Sequence, residues 1–91
     1  MLKPIVNTMN AQDDFNQWLK NNGYKQSFQR GKILEYLVIR RVSVVDVNRI
    51  YSDLYPDYRI TLATIYSTLR LLEKFGAIEI VPKKYKVKLW E

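Results

Sequence analysis

Hydrophobic positions recur at helical spacing in four stretches of the chain and alternate at strand spacing near its end. The clearest helical stretch is Ile60 to Ile78, ITLATIYSTLRLLEKFGAI. With Leu62 as the zero of a wheel turning about 100° per residue, Ile65, Leu69 and Leu72 fall within about 80° of it on one side, with Phe75 further round, and this set predicts a buried face. Ala63, Tyr66, Ser67, Arg70 and Lys74 gather on the opposite arc. Thr61 offers a hydroxyl as N-cap, and Gly76 suits the left-handed position that ends a helix.

The other elements follow from the same periods. Phe15, Trp18 and Leu19 predict a first helix over about 11–21, with Asp13 and Asp14 at its positive end and Asn22 and Gly23 closing it. Ser27 caps a second helix to about Ile39, with Phe28, Ile33, Leu34, Leu37 and Val38 as its apolar side. Gly31 inside it costs stability unless backbones approach closely there. Ser43 opens a third helix to about Tyr55, burying Val44, Val47, Ile50, Tyr51 and Leu54, and Pro56 stops it. A link over 57–60 then leads into the Thr61–Phe75 helix. Residues 77–81 and 85–91 read as two strands of a hairpin joined by Pro82, Lys83 and Lys84, with Tyr85, Val87 and Leu89 packing while Lys86, Lys88 and Trp90 face outward. The expected fold is mainly α with a small β-hairpin, a winged helix-turn-helix of three to four helices and a C-terminal wing. Residues 1–10 form an N-terminal arm and 11–91 the domain.

Ninety-one residues make one small domain, enough for a single core but marginal for two layers and a deep pocket. The absence of cysteine and histidine removes disulfides, histidine bases, Ser-His-Asp triads and the usual zinc sites together, so neither an enzyme nor a cofactor is expected. The carboxylate pairs Asp13 with Asp14 and Asp53 with Asp57 read as helix-end and surface charges rather than an oxygen cage. No apolar run suits a signal peptide or membrane span, and the expected compartment is the cytoplasm.

Charge changes the picture of the exposed arc. Fifteen Lys and Arg against nine Asp and Glu give a net charge of +6, a balance that favours polyanionic partners. A face of one methyl, one aromatic, one hydroxyl and two cations suits DNA base edges and phosphates. The Tyr66 ring can pack on a thymine methyl, and the Arg70 fork matches guanine or phosphate. Lys25 before the second helix and Arg30 in its first turn are candidates for backbone or minor-groove contact. Four lysines among the six residues 83–88 give the wing a field for phosphates; Lys83, Lys84 and Lys86 are its candidate contacts. The competing explanations are a helix that merely covers a core and a lysine-protected edge strand.

Three segments resemble the DNA-binding part of the ferric uptake regulator family, in order: GYKQSFQRGKILEYL, VSVVDVNRIYSDL and ITLATIYSTLRLLEKFGAI, the last similar to the family's ATVYR-type recognition helix and glycine stop. The resemblance covers about 10–89. It implies a winged helix whose recognition helix, with Ala63, Thr64 and Tyr66, meets bases in the major groove, Lys25 entering an adjacent A/T-rich minor groove and Arg30 on phosphate. Ser67 stands where the family usually has arginine, which removes a contact and points to a different operator. Arg41 stands before VSVVD, where many members have a metal-binding histidine. The family continues beyond the position of Glu91 into a metal-binding dimerisation domain, so iron sensing is not carried over.

The expected function is sequence-specific binding of double-stranded DNA, A/T-rich by resemblance, by a small transcriptional regulator that inserts residues 61–75 into the major groove and lays the wing, 77–91, on the backbone. A module of this size buries only ~600–1,000 Å² on DNA, so useful specificity needs a homodimer, repeated half-sites or a partner protein. Trp90, the 1–10 arm and the helix of Phe15 and Trp18 are the candidate dimer surfaces. The alternative is a protein-interaction module, an adaptor or decoy acting on a full-length regulator or the transcription machinery. RNA binding lacks an aromatic sheet platform.

Overall fold

The computed structural model describes residues 8–81 and 84–89. Helices α1 (Thr8–Asn21), α2 (Phe28–Ile39), α3 (Val47–Tyr58) and α4 (Leu62–Phe75) precede an antiparallel hairpin, β1 (Ile78–Val81) and β2 (Lys84–Val87). This is the mainly helical architecture with a C-terminal wing that the sequence predicts. Ala11, Phe15 and Leu19 of α1, Ile33, Leu34 and Leu37 of α2, Ile50 of α3, and Ile65, Leu69 and Leu72 of α4 fill one core, closed at the wing by Ile78 and Val87. Each fully buried Leu, Ile or Phe contributes roughly 1.5–3 kcal/mol.

Several expectations are corrected, each by a packing constraint. Helix α1 begins at Thr8 rather than Ala11, because Ala11 is itself buried and completes a stripe with Phe15 and Leu19 at steps of four. Asp13 and Asp14 therefore lie in the second turn, beyond the reach of the N-terminal dipole. Ser27 caps α2, its side chain accepting from the Arg30 amide at 3.1 Å, but Phe28 is 66% exposed. It sits about 140° from Ile33 on the wheel, and its ring instead meets Tyr58 edge-on at 5.8 Å. Gly31 marks the close approach of α1. The Gln12 amide donates to its carbonyl, and a Cβ there would lie 3.2 Å from Gln12 Oε1.

The third helix starts at Val47, not near Ser43. Asp46 is its N-cap, accepting from the Arg49 amide at 3.2 Å, while residues 43–45 bond to β2 around a bridge of Val44 with Lys86: the Val45 amide donates to Tyr85 O and the Val87 amide to Ser43 O, both at 2.8 Å. Three β-branched valines, Val42, Val44 and Val45, suit this strand-like pairing. It turns Val45 into the core and leaves Val44, predicted buried, 50% exposed. Pro56 lies inside α3. At the last turn a proline removes a single hydrogen bond, and the helix runs on to Tyr58 before Arg59, at φ 55°, closes it by donating its amide N–H to Tyr55 O. The link to α4 is thus 59–61, shorter than predicted.

In the hairpin Ile78 pairs with Val87, Glu79 with Lys86, Ile80 with Tyr85 and Val81 with Lys84. Lys84 is therefore a strand residue rather than part of the turn, β1 begins at Ile78, and β2 ends at Val87. Val87 and Leu89 are buried and Tyr85 half-buried, as the alternation predicts. Pro82, Lys83, Trp90 and the arm residues 1–7 lie outside the described residues.

Candidate nucleic-acid interface

Helix α4 is fixed at both ends. The Thr61 hydroxyl accepts from the Thr64 amide at 3.2 Å and donates to Thr64 Oγ1 at 3.1 Å. At the other end Gly76, at φ 102°, donates to Leu72 O and Glu73 O. Between these caps Ile65, Thr68, Leu69, Leu71 and Leu72 are buried, and Ala63, Tyr66, Ser67, Arg70 and Lys74 are exposed, with Thr64 intermediate. The outer arc predicted from the wheel is the outer arc of the structure, with one correction. Leu62 is 39% exposed, because the buried arc centres near Leu72 and places Leu62 at its margin.

The polar groups of this face differ in what they have left to offer. The Tyr66 ring is 45% exposed. Ser67 Oγ donates to Thr64 O at 3.1 Å, so its proton is used within the helix while its lone pairs face outward as acceptors. Lys74 Nζ donates to the Tyr24 hydroxyl at 3.1 Å and lies 5.7 Å from that ring's centroid.

Tyr24 joins a second group of predicted residues to α4. Its amide donates to Leu19 O at 2.9 Å and the Gly23 amide to Lys20 O at 3.3 Å, with Gly23 at φ 77°. These are the paired hydrogen bonds of a Schellman ending, whose following residue characteristically packs back on the last turn. Tyr24 does so, stacked on Trp18 at 5.7 Å and 16°, and Trp18 meets Phe75 of α4 at 5.8 Å. The next residue, Lys25, is exposed. Its carbonyl accepts from Arg30 Nη1, which commits one nitrogen of that guanidinium to the loop backbone. The wing contributes Lys84 and Lys86 on exposed positions of β2, Lys86 facing Glu79 across the ladder; Lys83 lies outside the described residues.

The structure thus ties Tyr24, the residue before Lys25, to Lys74 near the C-terminal end of α4, joins Arg30 to the Lys25 carbonyl, and places the wing directly after α4. Residue patterns did not single out Tyr24, although an aromatic immediately after a helix-ending glycine is the available signal. They also missed the pairing of Asp53. Its carboxylate accepts from the Tyr36 hydroxyl at 2.6 Å and lies 3.4 Å from Arg49 and 3.8 Å from Arg40, a bridge between α2 and α3 rather than a plain surface charge. The Tyr36 bond, then the two arginines, hold the Asp53 carboxyl below its ordinary value. Burial, then Asp53, raise the Tyr36 hydroxyl. Phe15 is fully buried and Trp18 is half-buried in the aromatic cluster, so the expected dimer surface on α1 is not an open one.

The ferric uptake regulator family model matches residues 21–91. The chain is also 35% identical over 65 residues to the peroxide-responsive repressor PerR of Staphylococcus saprophyticus, an alignment covering 70% of this chain and 43% of that protein. The chain therefore spans less than half the length of that relative. The family's name implies iron, and the residues present do not fit it: the sequence has no histidine or cysteine, and among the described residues no three acidic side chains cluster to hold an ion. No helix among them is long and apolar enough to cross a membrane.

Proposed function

We infer, for a chain that belongs to the ferric uptake regulator family, that α4 reads the major groove of double-stranded DNA in the service of transcriptional regulation. The observation that carries this is the division of α4: one face sealed in the core, the other presenting Ala63, Tyr66, Ser67 and Arg70 between two intact caps. Tyr66 reads a thymine methyl or ring edge, Arg70 a guanine or phosphate, and Ser67 accepts from an exocyclic amine. Lys84 and Lys86 lie on the backbone, and Lys25 enters the neighbouring groove. Half-site pairing supplies the remaining specificity. Gel-shift titration on A/T-rich palindromic duplexes over a salt series tests the reading. Binding at micromolar protein that weakens steeply with salt is expected; no shift, or a flat salt response, refutes it.

The adaptor reading has one observation of its own, the exposed Phe28 and Ile39 on the outer side of α2. Arg70→Ala separates the two, since loss of DNA binding follows from the first reading and not from the second.

A further inference from the structure

We propose that Tyr24 and Lys74 are positioning residues, which together lock the loop carrying Lys25 against the end of α4 and so fix the spacing between its two DNA contacts. The proposal deepens the DNA-binding reading and rests on it.

Three independent restraints hold this loop. The backbone of Tyr24 is tied to α1 through Leu19 O. Its ring is stacked on Trp18, and its hydroxyl, at the far edge of the ring, accepts from the Lys74 ammonium at 3.1 Å. The Lys25 carbonyl is held by Arg30, itself anchored by the Ser27 cap at its amide. Lys25 thus projects from a backbone ordered before any ligand arrives. The entropy of ordering a loop is then not charged against binding, and two contacts set at a fixed separation discriminate between duplexes by groove geometry. Lys74 acts here by a route other than the one its exposed position suggests. Its ammonium is directed at Tyr24, and its effect on DNA is transmitted through Lys25.

This arrangement makes a prediction that direct phosphate contact does not. Binding of the full 91-residue chain to one 30-base-pair A/T-rich duplex is measured by fluorescence anisotropy from low to moderate salt. The variants are Lys25→Ala, Lys74→Met, Tyr24→Ala, Tyr24→Phe and the doubles with Lys25→Ala. Lys25→Ala lowers the salt slope by about one unit. Lys74→Met and Tyr24→Ala weaken binding roughly three- to tenfold in the parent, and in the Lys25→Ala background add less than about twofold with no further change in slope. Tyr24→Phe, which keeps the ring on Trp18 but removes the hydroxyl that accepts from Lys74, weakens binding about as much as Lys74→Met and adds nothing further to it.

A further loss of about one slope unit in Lys25→Ala/Lys74→Met means that Lys74 meets a phosphate directly, and overturns the proposal while DNA binding stands. Salt-insensitive behaviour of the parent chain overturns both. If Tyr24→Ala fails to fold, the exposed Lys74→Met cycle decides the matter alone.

Discussion

Thr68 is the residue whose environment least matches its chemistry. It is fully buried on α4, and its hydroxyl has no hydrogen-bond partner, while the Thr64 carbonyl one turn back already receives Ser67. An unpaired buried hydroxyl costs about 1–3 kcal/mol, and valine has nearly the same shape. Thr68→Val is therefore expected to stabilise the fold by about 1 kcal/mol, raising the melting temperature by roughly 4–8 °C; a lower melting temperature would show that the hydroxyl is satisfied. Asp53 makes a second case, in which pH is the variable. Because its carboxyl is held below the ordinary value, the folded chain binds that proton less readily than the unfolded chain. Its contribution is in force above about pH 4 and is lost as the pH falls through the lowered value. Tyr36, raised, works in the opposite sense, contributing below about pH 10 and losing that contribution as the pH rises through the raised value. Asp53→Asn should melt below the parent at pH 7, with the gap closing as the pH is taken below about 4; a gap independent of pH would assign the effect to packing.

At the scale of elements, legibility followed the locality of the signals. Helices α2 and α4 could be read because a capping hydroxyl, a periodic apolar stripe and, for α4, a terminal glycine fall within one window. Helix α3 could not be placed at its start, since Ser43 and Asp46 both offer capping side chains three residues apart. The choice between them is made by β2, whose strand pairs with 43–45 and is distant in sequence. The candidate site divides the same way. Tyr66 and Arg70 were legible from the period of one helix, but the Lys74–Tyr24 bond joins residues 50 positions apart, and no local pattern reports it. The cap assignment is open to a direct comparison. Asp46→Ala should cost about 1 kcal/mol in urea unfolding, and Ser43→Ala should stay within about 0.5 kcal/mol. The reverse order would restore the earlier helix start.

For the whole molecule, the proposed division of labour is between a face that selects and a wing that holds. Tyr66 and Arg70 stand on the exposed face of a helix capped at both ends and are proposed to meet the base edges, whereas Lys84 and Lys86 stand on a ladder that begins two residues after Gly76. The two wing lysines are not equivalent, since Glu79 faces Lys86 across the strands while Val81 faces Lys84. A carboxylate at that position repels the same phosphates that the lysines attract, and the repulsion is strongest where salt screens least, at a Debye length near 30 Å in about 0.01 M salt. Three variants then give three signatures on a set of related duplexes. Tyr66→Ala should flatten the preference among sequences, about 1–3 kcal/mol at the affected base pair, with the salt slope retained. Lys84→Ala should weaken all duplexes alike and lower the slope by about one unit. Glu79→Gln should tighten binding to every duplex about two- to fivefold at low salt, an advantage that fades as salt rises. Unchanged affinity in Glu79→Gln, together with an unchanged slope in Lys84→Ala, would remove the wing from the interface and leave α4 with the Lys25 loop as the whole of it.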